Sequence, residues 1–230
     1  MSTWMTRVVA CPRCDATLEL RVALGINVAR APQLRDAILA RRLHRAACRC
    51  GATVHAVAAF EYSDLARGQL VRVALPDERA RWRALEAGLA ASVRRVFEHG
   101  SPLAHGLVTA TRSRLVFGDE ALREKLVLWS AALDDAVIEC VKLRAFAAEP
   151  RLAAPEGRLV VVAVGDDDSL ACAWFARDGD VAPTTTFDLP ATWVHEATRD
   201  RASLSSRYPE LFGAGYVSAG RFLVQSLEAT

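Results

Sequence analysis

Lysine is almost missing from this 230-residue chain, where Lys125 and Lys142 stand beside 27 arginines. Alanine is abundant as well, so the imbalance reads as the bias of a GC-rich coding sequence, and arginine abundance alone does not signal nucleic acid. Long apolar runs are also missing. Stretches such as Leu159–Val164 fall far short of the ~20 residues that span a bilayer, which excludes a membrane-spanning helix. Met1–Ala10 shows neither the basic nor the apolar region of a secretory leader, so the expected compartment is the cytoplasm. There is no G-x-S-x-G, Walker A loop, dinucleotide fingerprint or H-E-x-x-H, and His55, His99, His105 and His195 are scattered singly. Repeats and low-complexity tracts are absent. A hydrophobic content of 52% excludes disorder, because it can offset the entropy of ordering the chain.

What is present is divided unevenly. Residues 1–100 carry 16 Arg against 9 Asp and Glu; residues 101–230 carry 13 Lys and Arg against 18 acids, for an overall charge of +2. Two oppositely charged halves can attract each other or direct one half toward an acidic partner. Strand signals at Arg7–Ala10, Thr17–Val22, Thr53–Phe60 and Gln69–Ala74 dominate the first part, with a helix opened by Pro32 that buries Leu34, Ile38 and Leu43. Asp77 is placed to cap a long helix with Trp82, Leu85, Leu89, Val93 and Phe97 inward, ended by Gly100. The second half begins with a strand at Arg114–Phe117, then a helix from Asp119 and another from Asp134-Asp135 with Ile138, Val141 and Leu143 inward. Arg158–Val164 and Leu170–Ala176 read as a hairpin closed by Gly165–Ser169; Asp178-Gly179 marks a second turn. A helix after Pro190 and a strand near Tyr216–Val224 complete the chain. This order implies an α+β fold: a zinc-ribbon-like N-terminal β element with helices (1–76), a connecting amphipathic helix (77–100), and a mixed α/β half with a β-hairpin (101–230).

The strongest chemical signal is Cys11-x-x-Cys14 with Cys48-x-Cys50. Two close cysteine pairs can bring four thiolates to one tetrahedral point, the geometry and softness that suit Zn2+. Gly51 after the second pair permits the positive φ that turns backbone amides toward metal-bound sulfur, and Asp15 holds the corresponding place after the first. Arg13, Arg41, Arg42, Arg45 and Arg49 lie close in sequence and would favour thiolates. Structural zinc fits best. A redox Cys-Pro-x-Cys ordinarily opens a helix, whereas the residues after Cys14 alternate like a strand. Unligated core thiols are the third reading, and the one that suits Cys140 and Cys172.

Cys11-Pro12-Arg13-Cys14, Gly25-Ile26-Asn27-Val28, Pro32–Leu39, Cys50-Gly51, Glu61-Tyr62-Ser63-Asp64, Arg114–Gly118 and Leu122–Leu126 together resemble the bacterial and archaeal CpXC domain, over about residues 8–145. The resemblance implies a zinc-ribbon-like cysteine site in a domain without assigned activity. The family often repeats Cys-Pro-x-Cys-Gly, whereas this chain has C-x-C. Cys48 is therefore the ligand in question, with His44 as the alternative.

Tyr62 and Asp64 fall on one strand face and are candidates for a cleft, weighed against strand-end packing. Asp166–Asp168 could supply oxygen ligands to a hard cation, but a polar hairpin turn accounts for them. The functional expectation is a non-catalytic zinc-binding protein working through a protein partner as an accessory or scaffold of a bacterial multi-protein system. The alternatives are a nucleic-acid-binding zinc ribbon, which the basic half could support although it lacks stacking aromatics, and an enzyme with an unrecognised site.

Overall fold

The computed structural model describes residues 2–176 and 183–223. Two compact units divide the chain, Met1–Leu122 and Arg123–Thr230. The α+β class is seen in both.

The first unit is built on a five-stranded mixed sheet in the order β1-β2-β5-β6-β7, where β1 is Thr3–Ala10, β2 Thr17–Asn27, β5 Phe60–Asp64, β6 Gln69–Ala74 and β7 Arg112–Phe117. β1/β2 and β5/β6 are antiparallel neighbours, while β2/β5 and β6/β7 are parallel. Parallel neighbours need crossovers. The first crossover carries α1 (Gln33–Leu39) and a separate hairpin, β3 (Arg45–Ala47) with β4 (Thr53–His55); the second carries α2 (Trp82–His99) and α3 (Pro102–Thr109). The long β2 serves two neighbours. Leu18, Leu20 and Val22 alternate inward beneath the β3–β4 hairpin; a bulge at Leu24 then shifts the strand's phase before Gly25–Asn27 pairs with β5.

Several local readings change. The stretch read as one strand, Thr53–Phe60, is broken between β4 and β5, because the hairpin and the main sheet each claim one end. The strand read as opening the second half is the fifth strand of the first sheet, a long-range pairing invisible to local pattern. Before α2 runs a 3-10 turn, Pro76–Arg81, so Asp77 does not cap that helix; Glu78 accepts the Leu75 N–H instead. Trp82 and Leu89 are buried as expected and Leu85 and Val93 partly so, while the Phe97 side chain lies outside what is described. Gly68 has φ +61°, and a Cβ there would stand 2.6 Å from the Ala110 carbonyl oxygen, so glycine lets the β5–β6 turn seat against the start of β7.

In the second unit, a three-stranded antiparallel sheet runs β10-β9-β8: β8 Arg158–Val164, β9 Leu170–Phe175, β10 Thr185–Leu189. The expected hairpin is present, and β10 extends it. α5 (Asp135–Ala148) and α6 (Ala191–Arg199) pack with this sheet; α7 (Arg201–Arg207) and α8 (Pro209–Phe212) follow, and α4 (Asp119–Ser130) runs through the division between units. Asp134 caps α5 by accepting the Ala136 N–H at 3.0 Å. Tyr216–Ser218 is irregular and leads into a helical turn rather than the expected strand. The turn signal at Asp178-Gly179 lies outside the described residues. No helix among those described is long and apolar enough to cross a membrane.

Candidate metal centre

Both cysteine pairs sit in tight turns at strand ends. β1 delivers Cys11 into a turn with Pro12 second, where a fixed φ and a missing N–H cost nothing. Asp15 N–H donates to the Cys11 carbonyl at 2.9 Å and Cys11 N–H to the Ala16 carbonyl at 2.9 Å. The β3–β4 turn repeats this arrangement one residue shorter: Gly51 N–H reaches the Cys48 carbonyl at 2.9 Å and Cys48 N–H the Ala52 carbonyl at 2.8 Å. Each turn closes on a left-handed residue, Asp15 at φ 56° and Gly51 at φ 82°. The C-x-C spacing thus shortens the loop without losing its closure.

The four Sγ atoms lie within 4.8 Å of one another. Contacts run crosswise, Cys11 to Cys50 at 3.6 Å and Cys14 to Cys48 at 3.6 Å. A tetrahedral ion with metal–sulfur bonds of ~2.3 Å sets its sulfurs ~3.8 Å apart, so this group could hold a metal ion. Cys11 and Cys48 are buried, Cys50 is half-buried and Cys14 exposed. Around the inner pair lie Leu20, Val22, Val54, Ala56 and Ala58.

The electrostatics favour a cation. Arg13 N–H, and then Cys14 N–H, point at Cys11 sulfur and, against burial, bring its thiol down to about 7. Ala16 N–H acts likewise on Cys14, but the Cys50 and Cys48 thiols outweigh it and push Cys14 up to about 12. Four thiols this close do not ionise together unaided; a dication at their centre lets them. No helix follows Cys14: the chain turns directly into β2, which removes the helix N-terminus a redox Cys-Pro-x-Cys uses.

His44 does not join the thiols. Its Nε2 accepts the Ala23 N–H at 2.8 Å, its ring meets Phe60 edge-on at 5.3 Å, and burial pulls its pKa down to about 4. It satisfies a β2 amide that no strand serves, and Cys48 completes the cluster. The arginines divide in a way local spacing did not reveal. Arg13 donates to the Cys50 carbonyl at 3.2 Å, but Arg41 and Arg45 pair with Glu120 at 3.0 and 3.2 Å. His55 Nε2 lies 3.0 Å from Asp119 Oδ2; despite burial, His55 and Arg45 hold that carboxyl below its usual range. The β3–β4 hairpin is therefore tied at its open end to the first turn of α4.

Tyr62 and Asp64 share a face of β5, as alternation requires, but both are buried. The Tyr62 hydroxyl takes Arg35 at 3.1 Å, Arg35 also reaches Gln69, and Asp64 pairs with Arg67 at 2.9 Å. They line no cleft. The acidic turn is a hairpin turn: Asp167 accepts from the Ser169 N–H and hydroxyl, and Asp168, at φ 66°, faces His195 at 3.1 Å. Cys140 and Cys172 are buried thiols of the second unit, each pushed up to about 12 by burial.

One feature escaped local reading altogether. The two lysines are both buried, joining α4 to α5: Lys125 reaches Asp135 at 3.4 Å and Glu139 at 3.1 Å, and Lys142 reaches Glu124 at 2.7 Å and Glu139 at 3.1 Å. Asp135, Glu139 and Lys142 at helical spacing were the available signal.

Among known proteins, the family model described as CpXC protein matches residues 9–142, more than half of the chain. No curated protein and no solved structure matches.

Proposed function

The chain belongs to the CpXC family, and from that premise we propose that it is a non-catalytic zinc protein whose metal braces a surface for protein contacts. The observation that carries this reading is the convergence of Cys11, Cys14, Cys48 and Cys50 within 4.8 Å. Four thiolate ligands fill a tetrahedral zinc site and leave no position for water or substrate, so the ion contributes folding free energy rather than Lewis-acid chemistry. Zinc fits the donor set better than harder ions, which prefer oxygen. The contact role is supported by where apolar side chains reach solvent: Met5, Val8, Leu24, Val57 and Leu65, the exposed large hydrophobics among the described residues, all belong to the zinc-bearing unit.

Elemental analysis of the purified full chain, paired with anisotropy of a labelled DNA duplex at two salt concentrations, tests the reading. One zinc per chain, lost in Cys11→Ser, with no salt-steep DNA binding, is the expected result. A metal-free protein with four intact thiols overturns the zinc role. Affinity that falls steeply with salt replaces protein contact with phosphate contact.

A further inference from the structure

We propose that the outer edge of β1 is a self-complementary docking strand, and that its occupant is β1 of a second copy of this chain, antiparallel about a two-fold axis at Thr6. The proposal rests on the contact role above and names the partner. Among the described residues β1 pairs with β2 alone, so one of its edges carries unpaired amides and carbonyls. The register identifies them. Cys11 N–H bonds Ala16, and the β1–β2 pairing continues this register through Val9↔Leu18, Arg7↔Leu20 and Met5↔Val22. Antiparallel bonds alternate, so the N–H and C=O groups of Trp4, Thr6 and Val8 point outward.

Edge strands are ordinarily short, proline-bearing or guarded by charge. β1 has eight residues, Thr-Trp-Met-Thr-Arg-Val-Val-Ala, with no proline, no acid and one basic residue. That residue, Arg7, donates to the Val57 carbonyl at 2.8 Å and is drawn back onto its own unit. Val8 is 67% exposed and Met5 39%.

Pairing about Thr6 sets Thr6 opposite Thr6, Trp4 opposite Val8 and Met5 opposite Arg7 of the other copy. Threonine pairs and aromatic–β-branched pairs are favourable cross-strand neighbours, and the two arginines are kept apart. A two-fold axis at Arg7 also satisfies the outward amides but places the guanidinium groups face to face, which is unfavourable. An axis at Val8 brings Pro12, without an N–H, into the ladder. An acidic peptide would gain one ion pair, with an Arg7 already donating to the Val57 carbonyl, and would forfeit the threonine and aromatic matches. One added strand buries less than the ~1,200 Å² of a standard stable interface, so the dimer is weak and concentration-dependent.

Sedimentation of the full chain over a concentration series, with zinc content measured on the same samples, tests this. The 25.0 kDa species should shift toward twice that mass as concentration rises. Thr6→Pro removes an outward N–H without breaking a β2 bond, and Val8→Lys places like charge on the edge; each should weaken dimerisation about tenfold or more while zinc is retained. Under mild oxidation by glutathione disulfide, Thr6→Cys should cross-link two chains and Val8→Cys should not, because Val8 faces Trp4. A zinc-loaded protein that stays monomeric overturns the dimer and leaves the zinc reading standing; a dimer without zinc does the reverse. A dimer indifferent to both edge variants, or equal cross-linking by both cysteines, overturns the β1 pairing.

Discussion

Replacing Lys142 with methionine tests the charge arithmetic of the second unit. Lys125 and Lys142 are each 3% exposed, and with them are buried Glu124, Glu139 and Asp135, for a net of −1. Glu139 is the hub: its Oε1 takes both ammonium groups at 3.1 Å and its Oε2 takes the Ala219 N–H at 2.8 Å. Burial opposes ionisation of Glu139, but Lys142, then Lys125, overcome it and hold the carboxyl below its usual value. Glu124 is held less firmly: burial, helped by Glu139, raises its pKa despite Lys142, which makes it the costlier carboxylate to keep ionised. Lys142→Met therefore moves the cluster from −1 to −2 and strips Glu124 of its cation. Breaking a buried pair in this sense costs about 3–5 kcal/mol. Glu124→Gln moves the cluster from −1 to 0 and keeps an oxygen for the Val161 N–H, so its cost is nearer one hydrogen bond, about 1–2 kcal/mol. Urea unfolding read by tryptophan emission, with hydrogen exchange on α4 and α5 amides to assign the loss to the second unit, measures both. Equal costs for the two variants, or a loss below about 1 kcal/mol for Lys142→Met, would refute the net-charge reasoning.

Cys11→Ser should empty the metal site and raise hydrogen exchange in residues 2–75 more than in 123–176, since structural zinc in small peptides contributes ~10–16 kcal/mol; Cys140→Ser and Cys172→Ser should keep the metal, as elemental analysis will show. His44 has a folded pKa of about 4 against an ordinary 6.5, so the stability it contributes is complete above pH 6.5 and is lost as pH falls toward 4. That gap amounts to at most about 3 kcal/mol, and His44→Gln, which retains an acceptor for Ala23, should flatten this part of the pH–stability curve. In the acidic turn, Asp167→Ala should lower the thermal midpoint more than Asp166→Asn, because the Asp167 carboxylate holds Ser169 twice; equal midpoints would remove it as the turn's organiser.

Features legible in the sequence were those in which the cause and its effect lie a few residues apart. The cysteine turns are of this kind: a left-handed residue after the last sulfur and strand alternation on either side, with proline second in the first turn, are requirements met within six residues. Asp134 capping α5 and the β8–β9 hairpin were readable for the same reason, since short-range hydrogen bonds and turn geometry decide them. Tertiary structure decided the partners. Arg41 finds Glu120 across 79 residues and Arg45 finds it across 75, so arginines that spacing assigned to the thiols neutralise the start of α4 instead. His44 was spent on a β2 amide, and β7 was recruited as the fifth strand, because parallel pairing across long crossovers is set by which surfaces meet. The lysines show the limit most clearly. Asp135, Glu139 and Lys142 stand at helical spacing, but the same spacing serves a solvated face or a buried one. Only the packing of α4 and α5 together turned five charged side chains inward, where each must find an opposite charge or remain neutral.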